Sequence, residues 1–390
     1  MKSSIDSSPG SWLEIKPIGE NPEAMTKYDV DWARHLMMKN PISRPLGTLH
    51  NLGNSCFINA VLQCLVYTPG FEYFTKNMPN LIYELNSEKA CYLYHFAELC
   101  RAMHTIPESA PHMFYGQISQ ISPLMRSGLQ QDAHEFLLSL LNKFDDECLC
   151  PSQKTQNEAT TPIRSFFAGK MKETTTCTQC RHEHKTVSSF FDINLPLTSD
   201  SISGCLENYM MSQEVASFEC EKCKNKCTAT KKQQLIDLPN VLILSLIRFQ
   251  SNGKKMDDKI TIDDELNLRL FNAYRRTAAY KLYGMICHEG RAIDLGHYYS
   301  LTRCGNSEWF QHNDSSITKI DKDLNELNLC PYILFYKRHD HLERMRLTIT
   351  IECKKTVRTS NRKANFNTSS DEQQLSEASD GIPIAYSGSK

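Results

Sequence analysis

Cys56 follows the turn Gly53-Asn54-Ser55 and opens an apolar run from Phe57 to Leu65. The run has helical patterning and stops before Pro69-Gly70. The first turn of a helix has unpaired N–H groups and a partial positive charge. A thiolate placed there is stabilised, and its pKa falls from about 8.5 toward neutrality or below. Taken alone, a cysteine in a helix is a small buried hydrophobe. Residues far downstream change that reading of Cys56.

A cysteine nucleophile needs a histidine to take its proton. Of thirteen histidines, His297 has the most telling setting, Gly296-His297-Tyr298-Tyr299-Ser300-Leu301-Thr302-Arg303. Aromatic and β-branched residues after a glycine read as a strand. The chain turns at Cys304-Gly305-Asn306 and returns through Trp309-Phe310-Gln311-His312-Asn313-Asp314. A three-residue loop centred on Gly305 sets Leu301 opposite Trp309 and His297 opposite Asn313. A two-residue Gly305-Asn306 loop sets His297 opposite Asp314 instead. We expect Asn313 to receive the His297 N–H and fix the ring, with Asp314 in support.

Attack on a carbonyl creates a negative oxygen that needs donors. The Cys56 backbone N–H is one candidate, and the side-chain amide of Asn51 is another. From the residues alone, Asn51 reads first as a turn-former. Two Cys-X-X-Cys pairs, Cys177 with Cys180 and Cys220 with Cys223, have the spacing of tetrahedral zinc knuckles. Such a four-thiolate site is closed and structural. Cys227 is a nearby spare thiol that competes as a ligand.

The elements that position these residues change along the chain. Asp29 to Met38 opens as a short helix, and the run from Gln130 begins an amphipathic helix with Ala133, Phe136, Leu137, Leu140, Leu141 and Phe144 in one stripe. Asp132 and Glu135 resemble a helix-start pair. Later segments are β-rich: Val241 to Phe249, Tyr280 to Cys287, and Pro331 to Tyr336 as a closing strand. Helices first and sheet later predict an α+β domain with a cleft between two halves. Arg346 to Glu352 alternates like an edge strand, and the tail after it is polar.

The 390 residues are 40% hydrophobic and 23% charged, ordinary for a globular chain. A net charge of −1 gives no basic footprint for direct nucleic-acid binding. The polar start, with Pro9-Gly10, lacks the apolar core of a signal peptide. No apolar run reaches the ~18–20 residues of a membrane span. Without a secretion signal, sixteen cysteines predict metal ligands and core fillers rather than disulfides. We expect a cytoplasmic or nuclear protein.

Together these motifs resemble the ubiquitin-specific proteases, papain-like deubiquitinating cysteine peptidases. Positions 49–65 match the family's cysteine box, with Ser55 where relatives usually have Thr. His288-Glu289-Gly290, Gly296-His297-Tyr298-Tyr299, Trp309-Phe310 and Asn313-Asp314 match its histidine box. Gln130-Gln131-Asp132-Ala133-His134-Glu135-Phe136-Leu137 matches a third box, and the cysteine pairs fall where the family carries zinc. The resemblance implies a thumb–palm–fingers architecture with a zinc-ribbon finger subdomain. It covers about Gly47 to Arg338 and implies a catalytic domain at 47–338 with fingers at about 166–240; this leaves an N-terminal extension at 1–46 and a tail at 339–390 whose polar composition predicts disorder. It further implies that Asn51 is the oxyanion donor and that Asp132 contacts the ubiquitin tail. The partners implied are ubiquitin and ubiquitinated proteins, and the reaction is hydrolysis after ubiquitin's terminal glycine. The alternative is a catalytically weak ubiquitin-binding scaffold of the same fold. The lead into Arg248-Phe249, Ser245-Leu246-Ile247, departs from the family's usual His-Leu-Lys.

Overall fold

The structure is a computed structural model that describes residues 30–39, 42–77, 92–149, 161–249, 255–269, 277–292, 295–305 and 308–339. The expected edge strand at 346–352 and all of the expected tail beyond its first residue, 339, lie outside the described residues.

The first half is helical. In order come α1 (Val30–Lys39), the short β1 (Thr48–Leu49), α2 (Cys56–Val66), α3 (Phe71–Asn77) and α4 (Tyr92–Thr105). Then follow β2 (Glu108–Ser109), α5 (His112–Gly116), α6 (Ile118–Ile121), α7 (Ala133–Cys148) and α8 (Pro162–Phe167). Every residue of α2 is buried. A helix buried all round has no solvent face to present, and α2 packs on α7 on one side and the sheet on the other. Between it and α3, Gly70 adopts φ +76°, and a Cβ there would stand 2.6 Å from the Met37 backbone nitrogen. That close approach lets α1 cross the start of α3. Asp132 caps α7, accepting from His134 N–H at 2.7 Å. Glu135 does not reach back to complete a capping box; it accepts from Ser122 Oγ at 2.9 Å.

The second half is sheet. It comprises β3 (Gly169–Cys177), β4 (Glu183–Phe190), β5 (Asp192–Pro196), α9 (Ile202–Met210), β6 (Gln213–Glu219), β7 (Lys226–Asp237) and β8 (Val241–Ile247). The chain continues with β9 (Glu265–Arg269), β10 (Thr277–Ala292), β11 (Leu295–Cys304), β12 (Glu308–Asn313), β13 (Ser316–Ile320) and β14 (Pro331–His339). The main sheet has the order β13-β12-β11-β10-β14-β8-β5, with β9 also on β10. β14, expected as a closing strand, is the last in the chain among the described residues and lies between β10 and β8. Its run Pro331–Tyr336 is buried, as a strand covered on both faces must be. A separate four-stranded sheet, β4-β3-β7-β6, carries the cysteine pairs. These three parts correspond to the expected thumb, palm and fingers of an α+β fold.

Arg248 is buried just after β8, where its guanidinium donates to the carbonyls of Pro331, Met256 and Asp258 at 2.6, 2.9 and 3.0 Å. A buried cation is tolerated because these acceptors replace water. The helical core centres on Phe71, which is fully buried among Phe74, Phe96, Phe144, Phe166 and Phe167. Phe71→Ala removes the ring around which five others pack. It is expected to destabilise the fold by about 3–5 kcal/mol, read as a lowered midpoint in denaturant titration.

Candidate active site

The loop before α2 is shaped by Asn51. Its Oδ1 accepts from the N–H of Gly53 at 2.9 Å, from the N–H of Ser55 at 3.1 Å and from Ser55 Oγ at 3.2 Å. Gly53 and Asn54 take φ +103° and +53°, a left-handed pair that reverses the chain into the helix. The turn-forming role of Asn51 is therefore real. Its Nδ2 points elsewhere, donating to Asp314 Oδ2 at 2.8 Å. An amide nitrogen carries two hydrogens, so one remains for another acceptor.

Cys56 is the first residue of α2, and its side chain acts on the imidazole of His297 on β11. His297 Nε2 donates to Asn313 Oδ1 at 2.7 Å. A carbonyl oxygen only accepts, so Nε2 carries hydrogen and Nδ1 is left as the acceptor of the neutral ring. Asp314 Oδ2 stands 4.0 Å from the same Nε2. The structure thus brings together Cys56, His297, Asn313, Asp314 and Asn51.

The hairpin register differs from both sequence expectations. Cys304 pairs with Glu308, Arg303 with Trp309 and Leu301 with Gln311, so the loop spans 305–307. Gly305 enters it with φ +57° and donates to Ile42 O at 2.7 Å. Arg303 opposite Trp309 fixes this alignment, with its guanidinium 4.7 Å from the ring centroid. The three-residue alternative is off by two positions. A shift of two keeps each side chain on its side of the pleat, which is why Asn313 still reaches His297. Asp314 leaves the alternation through φ +48°, and so reaches the same ring.

Two further side chains belong to the arrangement and are not singled out by the sequence. Asn59, buried in α2, donates from Nδ2 to Asp314 Oδ1 at 2.8 Å. A polar residue three positions after Cys56, in a helix whose only other amide side chain is Gln63, is the signal that marks it. Gln130 Oε1 accepts from the Gly296 N–H at 2.8 Å, tying the start of β11 to the segment before α7. Gly296 is required there, because a Cβ would meet the His288 ring at 2.3 Å.

The Cys56 side chain pushes the His297 imidazole up from 6.5 to about 9, helped by Asn313 and the Asp314 charge and opposed by burial. The fold therefore favours the imidazolium, the partner a thiolate needs. The stability gained is present in full below the unfolded value of 6.5 and is lost as pH rises through about 9.

The family model described as ubiquitin carboxyl-terminal hydrolase matches residues 48–336. The chain belongs to the ubiquitin carboxyl-terminal hydrolase family. Ubiquitin carboxyl-terminal hydrolase 17-like protein B of Mus musculus is 30% identical over 311 residues, 76% of this chain and 64% of that protein. Ubiquitin carboxyl-terminal hydrolase 42 of Homo sapiens is 30% identical over 310 residues, 75% of this chain and 23% of that protein. The chain spans less than two thirds of either relative. Among solved structures, the SAGA Ubp8/Sgf11/Sus1/Sgf73 DUB module bound to ubiquitin aldehyde aligns with a TM-score of 0.65. At 24% identity over 76% of this chain and 70% of that chain, the likeness is one of fold.

In this hydrolase-family chain Asp132 does not touch the cysteine–histidine pair. Its carboxylate caps α7 and accepts from Tyr332 Oη at 2.8 and 2.9 Å, while burial pushes its pKa up. Two residues on, His134 Nε2 lies 2.7 Å from Asp192 Oδ2 and joins α7 to β5.

The four cysteines of the two knuckles converge on the finger sheet. The sulfurs of Cys177, Cys180, Cys220 and Cys223 lie within 4.8 Å of one another. Each knuckle closes in the same way: Arg181 N–H bonds to Cys177 O at 3.0 Å, and Lys224 N–H to Cys220 O at 2.8 Å. Arg181 and Lys224 both take left-handed φ, +58° and +57°. The donor set and its closeness fit a metal that accepts four thiolates.

Cys56→Ala removes the largest cause of the His297 shift. The imidazole pKa is expected to fall from about 9 toward 6.5 in an NMR titration, and an unmoved value would show that the thiol is not its partner.

Proposed function

We propose that this chain is a thiol-dependent deubiquitinase, hydrolysing the isopeptide or peptide bond after the C-terminal glycine of ubiquitin on protein substrates. The observation that carries this reading is the pairing of Cys56, at the start of α2, with His297, whose Nε2 is held in turn by Asn313. His297 takes the Cys56 proton, and the thiolate attacks the carbonyl carbon of the terminal glycine. The Cys56 N–H at the start of α2 and the second Asn51 Nδ2 hydrogen stabilise the oxyanion. The imidazolium then gives its proton to the leaving amine. Water, activated by His297, hydrolyses the thioester and frees the thiol.

In this mechanism Asn313 orients His297, and Asp314 acts chiefly by holding Asn51 and Asn59. Asp132, at the head of α7, meets the ubiquitin tail. Two of the structural neighbours are bound to ubiquitin aldehyde and to monoubiquitin, which supports ubiquitin as the partner. Cys177, Cys180, Cys220 and Cys223 hold a structural Zn2+ that cross-links the fingers and takes no part in the chemistry.

A ubiquitin-based active-site probe is expected to label the protein and to leave Cys56→Ala unlabelled. Labelling that persists would remove Cys56 as nucleophile; ubiquitin binding without labelling of the unaltered protein would favour a catalytically weak scaffold. Asn51→Ala is expected to lower kcat by about 10²–10³-fold. Because Asp314 positions that amide, Asn51→Ala with Asp314→Ala should cost little more than either alone; additive losses would separate the two roles. Metal analysis should find one Zn2+ per chain, lost in Cys180→Ser, and zinc-free protein at neutral pH would end the metal assignment.

A further inference from the structure

Lys255 is buried, and its Nζ reaches the end of β10. It donates to His288 O at 2.7 Å and to Gly290 O at 3.0 Å, and Asp257 Oδ1 stands 3.2 Å away. An ammonium has three hydrogens, and here three acceptors meet them. A buried cation is tolerated only with such partners. An apolar side chain of the same length would fill the space without that requirement, so packing alone does not account for a lysine here.

The two carbonyls need a donor. His288 N–H donates to Cys330 O at 3.1 Å, so this edge of β10 faces the start of β14. The last β10–β14 pair is Cys287 with Pro331, and proline has no N–H to give. His288 O and Gly290 O lie past it, and Lys255 Nζ serves them where the N–H groups of a strand would. The lysine is itself fixed. Lys255 pairs with Phe249 in an antiparallel bridge, and Met256 N–H donates to Arg248 O at 2.7 Å.

Across the other edge of β10 lies the start of β11. Glu289 is the register partner of His297, with His288 opposite Tyr298 and Gly290 opposite Gly296. Lys255 thus grips the residues on both sides of Glu289. Gly290 and Gly296 touch through their backbones: a Cβ on Gly290 would stand 2.5 Å from Gly296 Cα. Gln130 holds the Gly296 N–H from the segment before α7. The start of β11 is therefore held twice, by an amide directly and by an ammonium acting through β10.

We propose that Lys255 is a positioning residue for His297, holding residues 288–290 of β10 so that the imidazole is presented to Cys56. It acts through backbone carbonyls and takes no part in proton transfer. As a role in turnover this rests on the hydrolase reading above; as a role in geometry it does not.

The test compares the full chain with Lys255→Met, which keeps the length of the side chain and loses the donors. A small misplacement of a reacting group is costly, so kcat on a ubiquitin-based substrate is expected to fall by about 10–10²-fold with KM unchanged. In an NMR titration of histidine-labelled protein, the His297 imidazole is expected to fall from about 9 toward 6.5. A merely structural lysine would lower the denaturant midpoint and move neither reading. An unmoved His297 in folded Lys255→Met would overturn the proposal, and so would a loss confined to KM. Should Lys255→Met not fold, Lys255→Gln, whose shorter amide keeps a donor for one carbonyl, takes its place under the same readings. If the unaltered protein hydrolyses no ubiquitin substrate, the proposed function fails, and the titration, which needs no turnover, decides the positioning.

Discussion

The Asp314 carboxylate accepts from Asn51 and from Asn59 at 2.8 Å each, and both donors stand across the cleft from it. Asn51 belongs to the loop before the cysteine, Asn59 to the helix that the cysteine begins, and Asp314 to the turn after the strand carrying Asn313. One charged group therefore fixes the separation of the helical and sheet halves at the point where a thiol and an imidazole must meet. Hydrogen bonds to a charged group contribute about 1.5–3 kcal/mol each. The Asp314 backbone must be left-handed for this, and an Asp tolerates that conformation better than most residues.

Around this junction, the rest of the molecule limits motion. α2 is enclosed on every side, so Cys56 cannot shift without disturbing the core. Gln130 and the close contact of His288 with Gly296 hold the start of β11, and with it His297. The finger sheet is different. β4 is almost wholly exposed, and little of that sheet has a core beneath it. A sheet with so little apolar burial needs a cross-link of another kind, and the four convergent cysteines are placed to supply one.

Much of this was legible in the residues. A thiol at a helix start, a histidine at a strand mouth and two Cys-X-X-Cys pairs are local patterns, and local patterns survive without coordinates. The helix at Ala133–Cys148 followed from its stripe. The hairpin register did not, because it depends on a cation–aromatic pair, Arg303 with Trp309, and on a left-handed Gly305. The position of Asp314 as an acceptor for two amides was equally hidden. Its partners lie 263 and 255 positions away in the chain, and no spacing rule connects them. The place of β14 in the middle of the sheet was hidden for the same reason, since strand order is a long-range property.

The orientation of the Asn51 amide has a chemical consequence over the lifetime of the molecule. Three donors fix its oxygen and one carboxylate fixes its nitrogen, so the group has a single allowed direction. Deamidation would replace that nitrogen by an oxygen. The same position would then set one carboxylate against another, turning a clasp into a repulsion. Ageing at this one side chain would open the cleft from within, while leaving the cysteine, the histidine and the core chemically intact.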